Sequence, residues 1–498
     1  MLMFASMAYY SAAAVAIFLS IGIYRVSLHP LSKFPGPVLW SISILPQAYY
    51  LARGRLPYKI HELHEKYGPV VRLAPSELSF IDDKAWEDIY SRFSGKFQLQ
   101  KDHTFLRPST GIDGLIFESK DERHKELRQV FSYGFSELCM KQYETVVLKY
   151  VQQLMIKLKD MEAGPVDICQ WFNYTLFDIT GKLLFDVSFD ALQKSSSHPW
   201  IQMLFDWVAG AALLGMAQKL WPLTNIITWL IPKKMRDAEI SHRTKTKEVL
   251  EQCLKRAEPV ASENRFKRND LVSNIALCPT YKDVTDGEIL ETCRVLLVGG
   301  AETMATVVSG TLYYLLCNPD SLEKLTKRLR LEFKSRSEID KESLKKVPYL
   351  SEVIDEGLRL FHPLPGNLRR ITPPTGCMIS GRFIPGKTVV GVDIYAAAHS
   401  SGNFHKPTEF HPERWSKVDL PEEFLNDKHK AMRPFSIGPR NCIAQNLAYM
   451  EMQLVLAVLI FSFDIKLLEE SKSWADNVKV FGFIQKRELM VKLAQRFI

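Results

Sequence analysis

The sequence feature that most constrains the fold is a cysteine loop that directly precedes a long apolar segment. Residues 435–444 read FSIGPRNCIA, and residues 445–463 (QNLAYMEMQLVLAVLIFSF) place apolar side chains at helical spacing. This pattern predicts a long buried helix with Cys442 at, or just before, its N-terminus. Unpaired backbone N–H groups and the helix dipole at that position lower a thiol pKa and favour the thiolate. The alternative is a buried structural cysteine, which is the usual role of a single cysteine.

The neighbours of Cys442 favour a haem ligand. A thiolate is a strongly electron-donating axial ligand for haem iron. Gly438 allows a tight backbone turn, Phe435 can shield the sulfur, and Arg440 can reach a haem propionate. The chain has 8 cysteines without any C-x-x-C pair, so neither a zinc site nor a disulfide framework is predicted. Scattered single cysteines are typical of a reducing compartment.

Residues 435–444 resemble the haem-binding signature of the cytochrome P-450 family, F-x-x-G-x-R-x-C-x-G. Ala444 stands where the family commonly has glycine, and both side chains are small. The resemblance implies a mainly α fold, with a large helical part and a smaller β-rich part. It also implies haem b (heme b, iron protoporphyrin IX) as the cofactor, with Cys442 as the thiolate ligand of the iron.

A second motif lies inside a segment that predicts one long helix, residues 285–318. A capping-box pattern of Thr285 and Glu288 begins it, and Pro319 ends it. In its middle, residues 299–303 read GGAET, where two glycines and an acid interrupt an apolar run.

The GGAET segment resembles the family's oxygen-activation motif, [AG]-G-x-[DE]-T-[TS]. The resemblance implies that Thr303 hydrogen-bonds the distal oxygen or an ordered water and that Glu302 relays protons. Met304 replaces the last hydroxyl residue of the motif, so the acid and the alcohol are kept and the finer water chain is not. The alternative is a core helix with an accidental acid.

A third element combines a helical pair with a distant arginine. Glu356 and Arg359 share one face of a helix predicted to begin near Pro348 and to end before Pro363. By itself this spacing is a common surface pair. The later segment PERW resembles a family element whose arginine joins that pair, so Arg414 is predicted to join a structural cluster that holds the cysteine loop.

Three more basic residues are predicted to bind haem propionates by resemblance to the family. His124 and Arg128 lie four residues apart on one helical face, and Arg370 stands where the family places another propionate-binding arginine. Taken alone, His124 would be interpreted as an exposed histidine on an amphipathic helix.

The N-terminus predicts a membrane anchor, residues 1–25, followed by a proline-rich hinge, residues 26–40, and a catalytic domain, residues 41–498. Residues 1–24 contain no charged side chain, and about 20 apolar residues suffice for one helical span. The rival, a cleaved signal peptide, lacks its basic region. Arg25 and Lys33 follow the apolar segment, so the positive-inside rule predicts a single-pass endoplasmic reticulum protein with its catalytic domain in the cytosol.

Other segments give coarser predictions. Short strands are predicted at 70–73, 78–81 and 388–392, and the apolar region 203–231 predicts two surface helices and a loop that touch the membrane. The 64 basic and 56 acidic residues are scattered, which excludes a nucleic-acid footprint.

The chain is thus predicted to be a monooxygenase that uses dioxygen to hydroxylate, epoxidise or desaturate a small apolar molecule, such as a terpenoid or polyketide. It contains no Walker loop and no dinucleotide fingerprint with its strand and helix, so electrons must come from another protein, an NADPH-cytochrome reductase. The predicted docking cations are Lys428, Lys430 and Arg433. The segment 29–37 resembles the corresponding segment of filamentous-fungal family members that act in secondary metabolism, including trichothecene hydroxylases. By family analogy the substrate pocket is drawn from residues 105–117, 203–214, 298–301, 364–368 and 480–483.

Two other functions stay open from sequence. One is a haem-thiolate isomerase or dehydratase acting on a peroxide, whose relatives tend to lack the acid–alcohol pair. The other is a haem-binding membrane sensor or scaffold without catalysis.

Overall fold

Helices make up most of the molecule. The computed structural model describes residues 2–91, 98–102, 111–118, 120–161, 164–196, 198–220, 224–257 and 270–496. The α-helices are α1 (Leu2–Ile23), α2 (Val38–Ile42), α3 (Leu45–Ala52), α4 (Leu56–Tyr67), α5 (Asp83–Tyr90), α6 (Asp121–Tyr133), α7 (Glu137–Lys159), α8 (Ile168–Phe185), α9 (Ala191–Lys194), α10 (Pro199–Gln218), α11 (Thr224–Leu230), α12 (Lys233–Ala257), α13 (Leu271–Ala276), α14 (Asp286–Cys317), α15 (Pro319–Glu332), α16 (Pro348–Leu360), α17 (Ile394–His399) and α18 (Gln445–Ser462).

The strands are short and form small sheets. They are β1 (Val70–Ala74), β2 (Glu77–Phe80), β3 (Gln100–Lys101), β4 (Pro165–Asp167), β5 (Arg370–Ile371), β6 (Cys377–Ile379), β7 (Arg382–Ile384), β8 (Val389–Val392), β9 (Phe463–Leu467), β10 (Lys479–Phe481), β11 (Phe483–Gln485) and β12 (Met490–Gln495). A five-stranded sheet has the order β1-β2-β8-β5-β3, with β2 and β8 parallel and the other neighbours antiparallel. The three strands predicted from sequence are confirmed as β1, β2 and β8. The other sheets are β4-β12-β9, β6-β7 and β10-β11.

Two hydrophobic cores divide the body. The larger core lies among the long helices, with α14 and α8 packed at its centre. The smaller core lies around the five-stranded sheet and the N-terminal helices α2 to α5. The predicted division into a large helical part and a smaller β-rich part is therefore confirmed.

The two helices predicted from cap and stop signals are also confirmed. Thr285 caps α14, its hydroxyl accepting the Glu288 backbone N–H at 3.3 Å while Glu288 accepts the Thr285 N–H at 2.9 Å. The helix ends at Cys317, before Pro319. Likewise α16 begins at Pro348 and ends at Leu360, ahead of Pro363.

The apolar region 203–231 differs from its prediction in one respect. It does form two helices, but α10 is not a surface helix, because it packs along α12. A Cβ on Gly210 would lie 2.9 Å from the Met235 carbonyl oxygen, so the small residues of α10 permit a close helix–helix approach. The peripheral helix is α11, where Trp229 is 74% exposed. Residues 221–223 of this region lie outside the described residues.

Within the described residues, three helices are long and apolar enough to cross a membrane, namely α10, α14 and α18. Their apolar windows are 50%, 72% and 72% buried inside the protein, so packing against other elements accounts for their composition.

At the N-terminus, α1 continues as a π-helical turn to Leu28, and residues 29–37 then run as a non-helical segment to α2. The Arg25 guanidinium donates to the Ile42 carbonyl oxygen at 2.6 Å, and the buried Arg72 donates to the Arg25 carbonyl oxygen at 2.8 Å. The Arg72 backbone N–H donates to the Pro35 carbonyl oxygen at 2.7 Å. The predicted hinge is therefore hydrogen-bonded to β1.

Candidate active site

The cysteine loop is a tight turn that ends just before α18. The Cys442 backbone N–H donates to the Phe435 carbonyl oxygen at 2.8 Å, which closes the loop. Ser436 and Gly438 both have positive φ, 57° and 75°. A Cβ on Gly438 would lie 2.2 Å from the Tyr90 carbonyl oxygen, so the loop requires glycine because it approaches the end of α5 closely.

The Cys442 thiol lies in a concave part of the molecule. The residue is exposed by surface area, yet protein atoms surround it closely enough that burial raises the pKa of its thiol. The backbone N–H of Ala444 and the charge of Arg128 act in the opposite direction. The predicted lowering of the thiol pKa at the start of the helix is therefore wrong, because the desolvation of the thiol outweighs the effect of the helix N-terminus.

Several side chains hold the segment that leads into Cys442. The Arg128 guanidinium donates to the Asn441 backbone oxygen at 2.8 Å and to its side-chain oxygen at 2.7 Å. His362 Nε2 lies 3.0 Å from the Pro434 carbonyl oxygen, and Trp86 Nε1 donates to the Ala431 carbonyl oxygen at 2.9 Å. His362 and Trp86 were not predicted from the sequence, because they lie more than 70 positions before the residues they hold.

Phe435, predicted to shield the sulfur, is partly buried. Its ring packs against Tyr449 of α18, with the ring centroids 5.1 Å apart.

The structure brings Glu356, Arg359 and Arg414 together in a fully buried cluster. Glu356 Oε1 lies 2.7 Å from Arg359 Nη2 and 3.1 Å from Arg414 Nε, and all three side chains are 0% exposed. Trp415 Nε1 donates to Glu356 Oε2 at 2.9 Å, and Arg414 also pairs with Asp427. Burial raises the pKa of Glu356, but the two guanidinium groups outweigh it, so the net direction is down. The cluster thus favours the carboxylate form of Glu356, and it includes two partners, Trp415 and Asp427, that were not predicted from the sequence.

Basic side chains converge beside the cysteine loop. His124 is buried, and its pKa is lowered to about 3 by burial first and then by the nearby charges of Arg440, Lys101, Arg128 and Arg370. These cations also lower one another's pKa: Arg370 and Arg440 lower that of Lys101, after burial. Lys101 was missed by the sequence analysis because nothing in its local sequence marks it.

Several of these cations also contact other groups of the protein. Arg440 Nη2 lies 3.0 Å from Asp121 Oδ1, and the same guanidinium donates to the Glu118 carbonyl oxygen. Arg370 donates to the Arg369 carbonyl oxygen at 3.0 Å and lies over the Tyr90 ring at 5.0 Å. Arg128, as described, holds Asn441.

The residues present fit a haem. An accessible thiol in a concave surface can reach a metal centre, and a group of cations that lower one another's pKa is stabilised by an added anion. Haem meets both conditions, because its iron can bind the thiol and its propionates are anions.

The middle of α14 has one accessible face. Val295, Gly299 and Thr303 follow one another at four-residue spacing, and none of the three is fully buried on a helix that is otherwise mostly core. A Cβ on Gly299 would meet no atom within 4 Å. The Thr303 hydroxyl donates to the Gly299 carbonyl oxygen.

Glu302 and Thr303 are adjacent in sequence but have different partners. Glu302 is 6% exposed, and its carboxylate pairs with Lys486 and accepts the Thr306 hydroxyl at 3.0 Å. Burial raises the pKa of Glu302, while Lys486 and Thr306 lower it, and the net direction is up. Lys486, 184 positions away, is a further site residue that the sequence analysis missed.

An apolar cavity lies beside Glu302, between α8, α10, α14 and the β10-β11 hairpin. Three of the predicted pocket segments, 203–214, 298–301 and 480–483, contribute to it; the lining includes Phe205, Val208, Val298, Ala301, Phe481 and Phe483. Segment 364–368 does not line it.

Of the predicted pocket segment 105–117, residues 105–110 lie outside the described residues. The remainder links the cysteine loop to α14. The Leu115 backbone N–H donates to the Thr292 hydroxyl at 2.9 Å, and three residues further along the chain Arg440 reaches the Glu118 carbonyl oxygen.

Comparison with known proteins decides the family. The family model for cytochrome P450 matches residues 34–491. The chain belongs to the cytochrome P450 family. This P450 is 37% identical over 491 residues to cytochrome P450 monooxygenase astA of Talaromyces wortmannii, an alignment that covers 98% of this chain and 96% of the relative.

Other fungal P450s match at similar levels. Cytochrome P450 monooxygenase aclL of Aspergillus oryzae is 36% identical, with 95% of this chain and 94% of the relative covered. Averantin hydroxylase of Dothistroma septosporum is 35% identical, with 95% and 88% covered. This P450 is accordingly a monooxygenase related to enzymes of fungal secondary metabolism.

Membership of the family also establishes the cofactor class. P450 enzymes use haem with a cysteine thiolate as the axial ligand, and they require a redox partner, a substrate and oxygen. The peroxide isomerase and the non-catalytic sensor have no support among these relatives, which are named as monooxygenases or as a hydroxylase.

Proposed function

We propose that this P450 binds haem b through Cys442 and inserts oxygen into a small apolar molecule, a terpenoid or a polyketide, in a secondary-metabolic pathway. The observation that carries the proposal is the accessible Cys442 thiol beside the five basic side chains described above. Bound there, haem supplies oxygen activation, with the thiolate as electron donor.

Arg440, His124, Arg128 and Arg370 orient the cofactor in this proposal. Arg370 and Arg440 contribute charge to the propionates, whereas Arg128 acts through Asn441, the residue before the ligand. His124, buried among these cations, can donate a hydrogen bond to a propionate.

On α14, Thr303 and Glu302 transfer protons in this proposal. The Thr303 hydroxyl lies on the accessible face of α14, where it can donate to a bound oxygen species or to a water. Glu302, buried one residue earlier, is the internal proton carrier, and its raised pKa makes its protonated form accessible.

The lining of the cavity supports an apolar substrate, since most of its side chains are aliphatic or aromatic. Among hydroxylation, epoxidation and desaturation, the relative named averantin hydroxylase favours hydroxylation.

The test of the ligand is spectroscopic. Purified protein reduced under carbon monoxide should show the far-red-shifted haem band of a thiolate-ligated iron, and Cys442→Ala should lose it. Cys293→Ala, a change at a fully buried cysteine of α14, is the matched control and should keep the band. A band that persists in Cys442→Ala would overturn the assignment.

We further propose that α1 anchors the enzyme in the endoplasmic reticulum membrane as a single span, with the catalytic body in the cytosol. The 22-residue helix α1 contains no charged residue, and its described apolar side chains are largely exposed, Phe18 at 77%. The exposed Trp229 and Ile226 of α11 add a second, shallow contact.

Two charges in the span test the anchor. The full-length double variant Ile17→Arg/Ile21→Arg should move from the membrane pellet to the supernatant after alkaline extraction, since each arginine costs about 3 kcal/mol at mid-bilayer. Retention of this variant in the pellet would contradict the span.

The reductase docks near Lys428, Lys430 and Arg433 in this proposal, on the loop that leads into the cysteine loop. Lys428 and Lys430 are exposed, and Lys430 Nζ lies 4.0 Å from Glu87 Oε1. Lys430→Glu should slow electron transfer and weaken its salt dependence, whereas Lys345→Glu, equally exposed on another surface, should not. Equal rates in the two variants would exclude this docking surface.

A further inference from the structure

A buried ammonium group lies next to the acid of the GGAET segment. Lys486 Nζ pairs with Glu302 Oε1 and donates to the Thr306 hydroxyl at 2.9 Å, and the two charged side chains are only 4% and 7% exposed. Removing both charges from water is costly, and a pair of apolar residues would serve stability as well. A buried pair at this position therefore calls for a role besides packing.

The segment that carries Lys486 is also a wall of the cavity. Lys486 directly follows β11, and the residues just before it, Phe483, Ile484 and Gln485, line the cavity together with Glu302. The ammonium group also lies 5.5 Å from the ring centroid of Phe205, a cavity residue on α10. Any molecule that fills the cavity consequently presses on the elements that hold Lys486.

The Glu302 carboxylate and the Thr303 hydroxyl have different partners on α14. The carboxylate points to Lys486 and Thr306, whereas Thr303, the next residue, lies on the accessible face. As long as the ammonium holds the carboxylate, transfer of a proton to Thr303 is prevented by geometry.

We propose that Lys486 is a positioning residue that makes proton delivery depend on substrate. It keeps the Glu302 carboxylate away from Thr303 until substrate in the cavity displaces the β10-β11 hairpin and withdraws the ammonium group. The freed carboxylate takes up a proton from water, and the resulting carboxyl group gives that proton to the Thr303 hydroxyl oxygen as that hydroxyl passes its own proton on; no electrons move in these steps. This inference rests on the proposed function, in which Glu302 and Thr303 handle protons.

The test compares haem-loaded Lys486→Met with wild type in the presence of reductase and the absence of substrate. Without the ammonium, Glu302 is no longer restrained, so substrate-free NADPH consumption per haem should rise by at least about fivefold, the lower range of typical coupling factors. Lys486→Arg keeps a cation and should stay near the wild-type rate. Lys486→Gln is the second variant, and a smaller rise is expected because Gln can still hydrogen-bond the acid.

An infrared measurement supplies a readout that does not depend on turnover. A buried carboxyl group without its cation takes up a proton, so Lys486→Met should show a protonated-carboxyl band that is weak or absent in wild type. The band should disappear in Glu302→Gln/Lys486→Met, and the rise in NADPH consumption should disappear with it.

Arg294→Met is the matched control. It removes another buried ion pair of α14, Arg294–Glu291, with a 2.6 Å contact and side chains 1% and 2% exposed. It should lower stability without raising NADPH consumption per haem. A purely stabilising Lys486 would behave in the same way.

The proposal is overturned if Lys486→Met consumes NADPH at the wild-type rate, if the rise survives in the double variant, or if no carboxyl band appears. Failure of the broader function would look different. Wild type would then show neither the carbon monoxide band nor reductase-dependent NADPH consumption.

Discussion

The cysteine loop and the middle of α14 belong to the same candidate site, but they are held in different ways. The loop is fixed by close packing and hydrogen bonds: Gly438 touches the Tyr90 carbonyl, and Arg128 holds Asn441 through two hydrogen bonds. On α14, Gly299 faces open space and the Thr303 hydroxyl donates to a carbonyl oxygen of its own helix. The difference indicates that the ligand side is built for fixed geometry, whereas the opposite side leaves room for reacting groups.

The largest effect on stability is expected for a substitution in the buried charged cluster of Glu356, Arg359 and Arg414. Glu356→Gln removes the counter-ion of Arg359 and one of the two carboxylates that pair with Arg414, so the free energy of unfolding should fall by about 3–5 kcal/mol and haem content should fall with it. Urea unfolding of the haem-loaded protein measures the change. Glu62→Gln, in an exposed pair with Lys59, should cost no more than about 0.5 kcal/mol. Similar losses in both variants would contradict a special role for the buried cluster.

A glycine substitution in the loop should have the next largest effect. Gly438→Ala adds a Cβ at 2.2 Å from a backbone oxygen and at positive φ, so it should cost about 3 kcal/mol. Gly381→Ala, with φ of 69° and no atom within 4 Å, isolates the backbone strain and should cost about 1 kcal/mol. If the two variants lose equal stability, the close approach to Tyr90 is unimportant.

The same substitution on α14 should have the opposite sign. Gly299→Ala enters open space in a helix interior and should raise the free energy of unfolding by about 0.5–1 kcal/mol. Turnover should be kept, because the motif that the GGAET segment resembles accepts alanine at this position. Gly300→Ala is the control: its Cβ would lie 2.8 Å from Thr180, so it should destabilise. A loss of stability in Gly299→Ala would contradict the open space at this face of α14.

Thr303→Val should have the smallest effect on stability, within about 0.5 kcal/mol, because the Gly299 carbonyl oxygen keeps its place in the helix. Haem content should be unchanged, and more of the NADPH consumed should appear as hydrogen peroxide instead of product. Thr303→Ser keeps the hydroxyl and should restore the wild-type ratio. Unchanged peroxide release in Thr303→Val would remove Thr303 from proton delivery.

Local signals explain what the sequence could predict. The cap at Thr285 and the stop at Pro319 define α14 because both act within a single turn of chain. The helix after the cysteine loop and the strand β8 follow from the spacing of apolar residues in the same way. The motifs around Cys442 supplied the family, which the comparisons then confirmed.

Contacts between distant segments could not be predicted in this way. Lys486 reaches Glu302 across 184 positions, and its local sequence, a lysine after a short strand, resembles many surface lysines. Arg128 was expected to contact the cofactor directly, yet it holds Asn441, a partner that only the fold brings near. Packing of α10 against α12 was missed because an apolar segment that faces a membrane and one that faces another helix look alike in sequence.

The most direct test of the account is X-ray absorption at the iron edge of the purified, haem-loaded enzyme. We predict one sulfur atom among the iron's nearest neighbours in wild type and none in Cys442→Ser. A wild-type iron surrounded only by nitrogen and oxygen, or a sulfur neighbour that remains in Cys442→Ser, would contradict the assignment of the ligand.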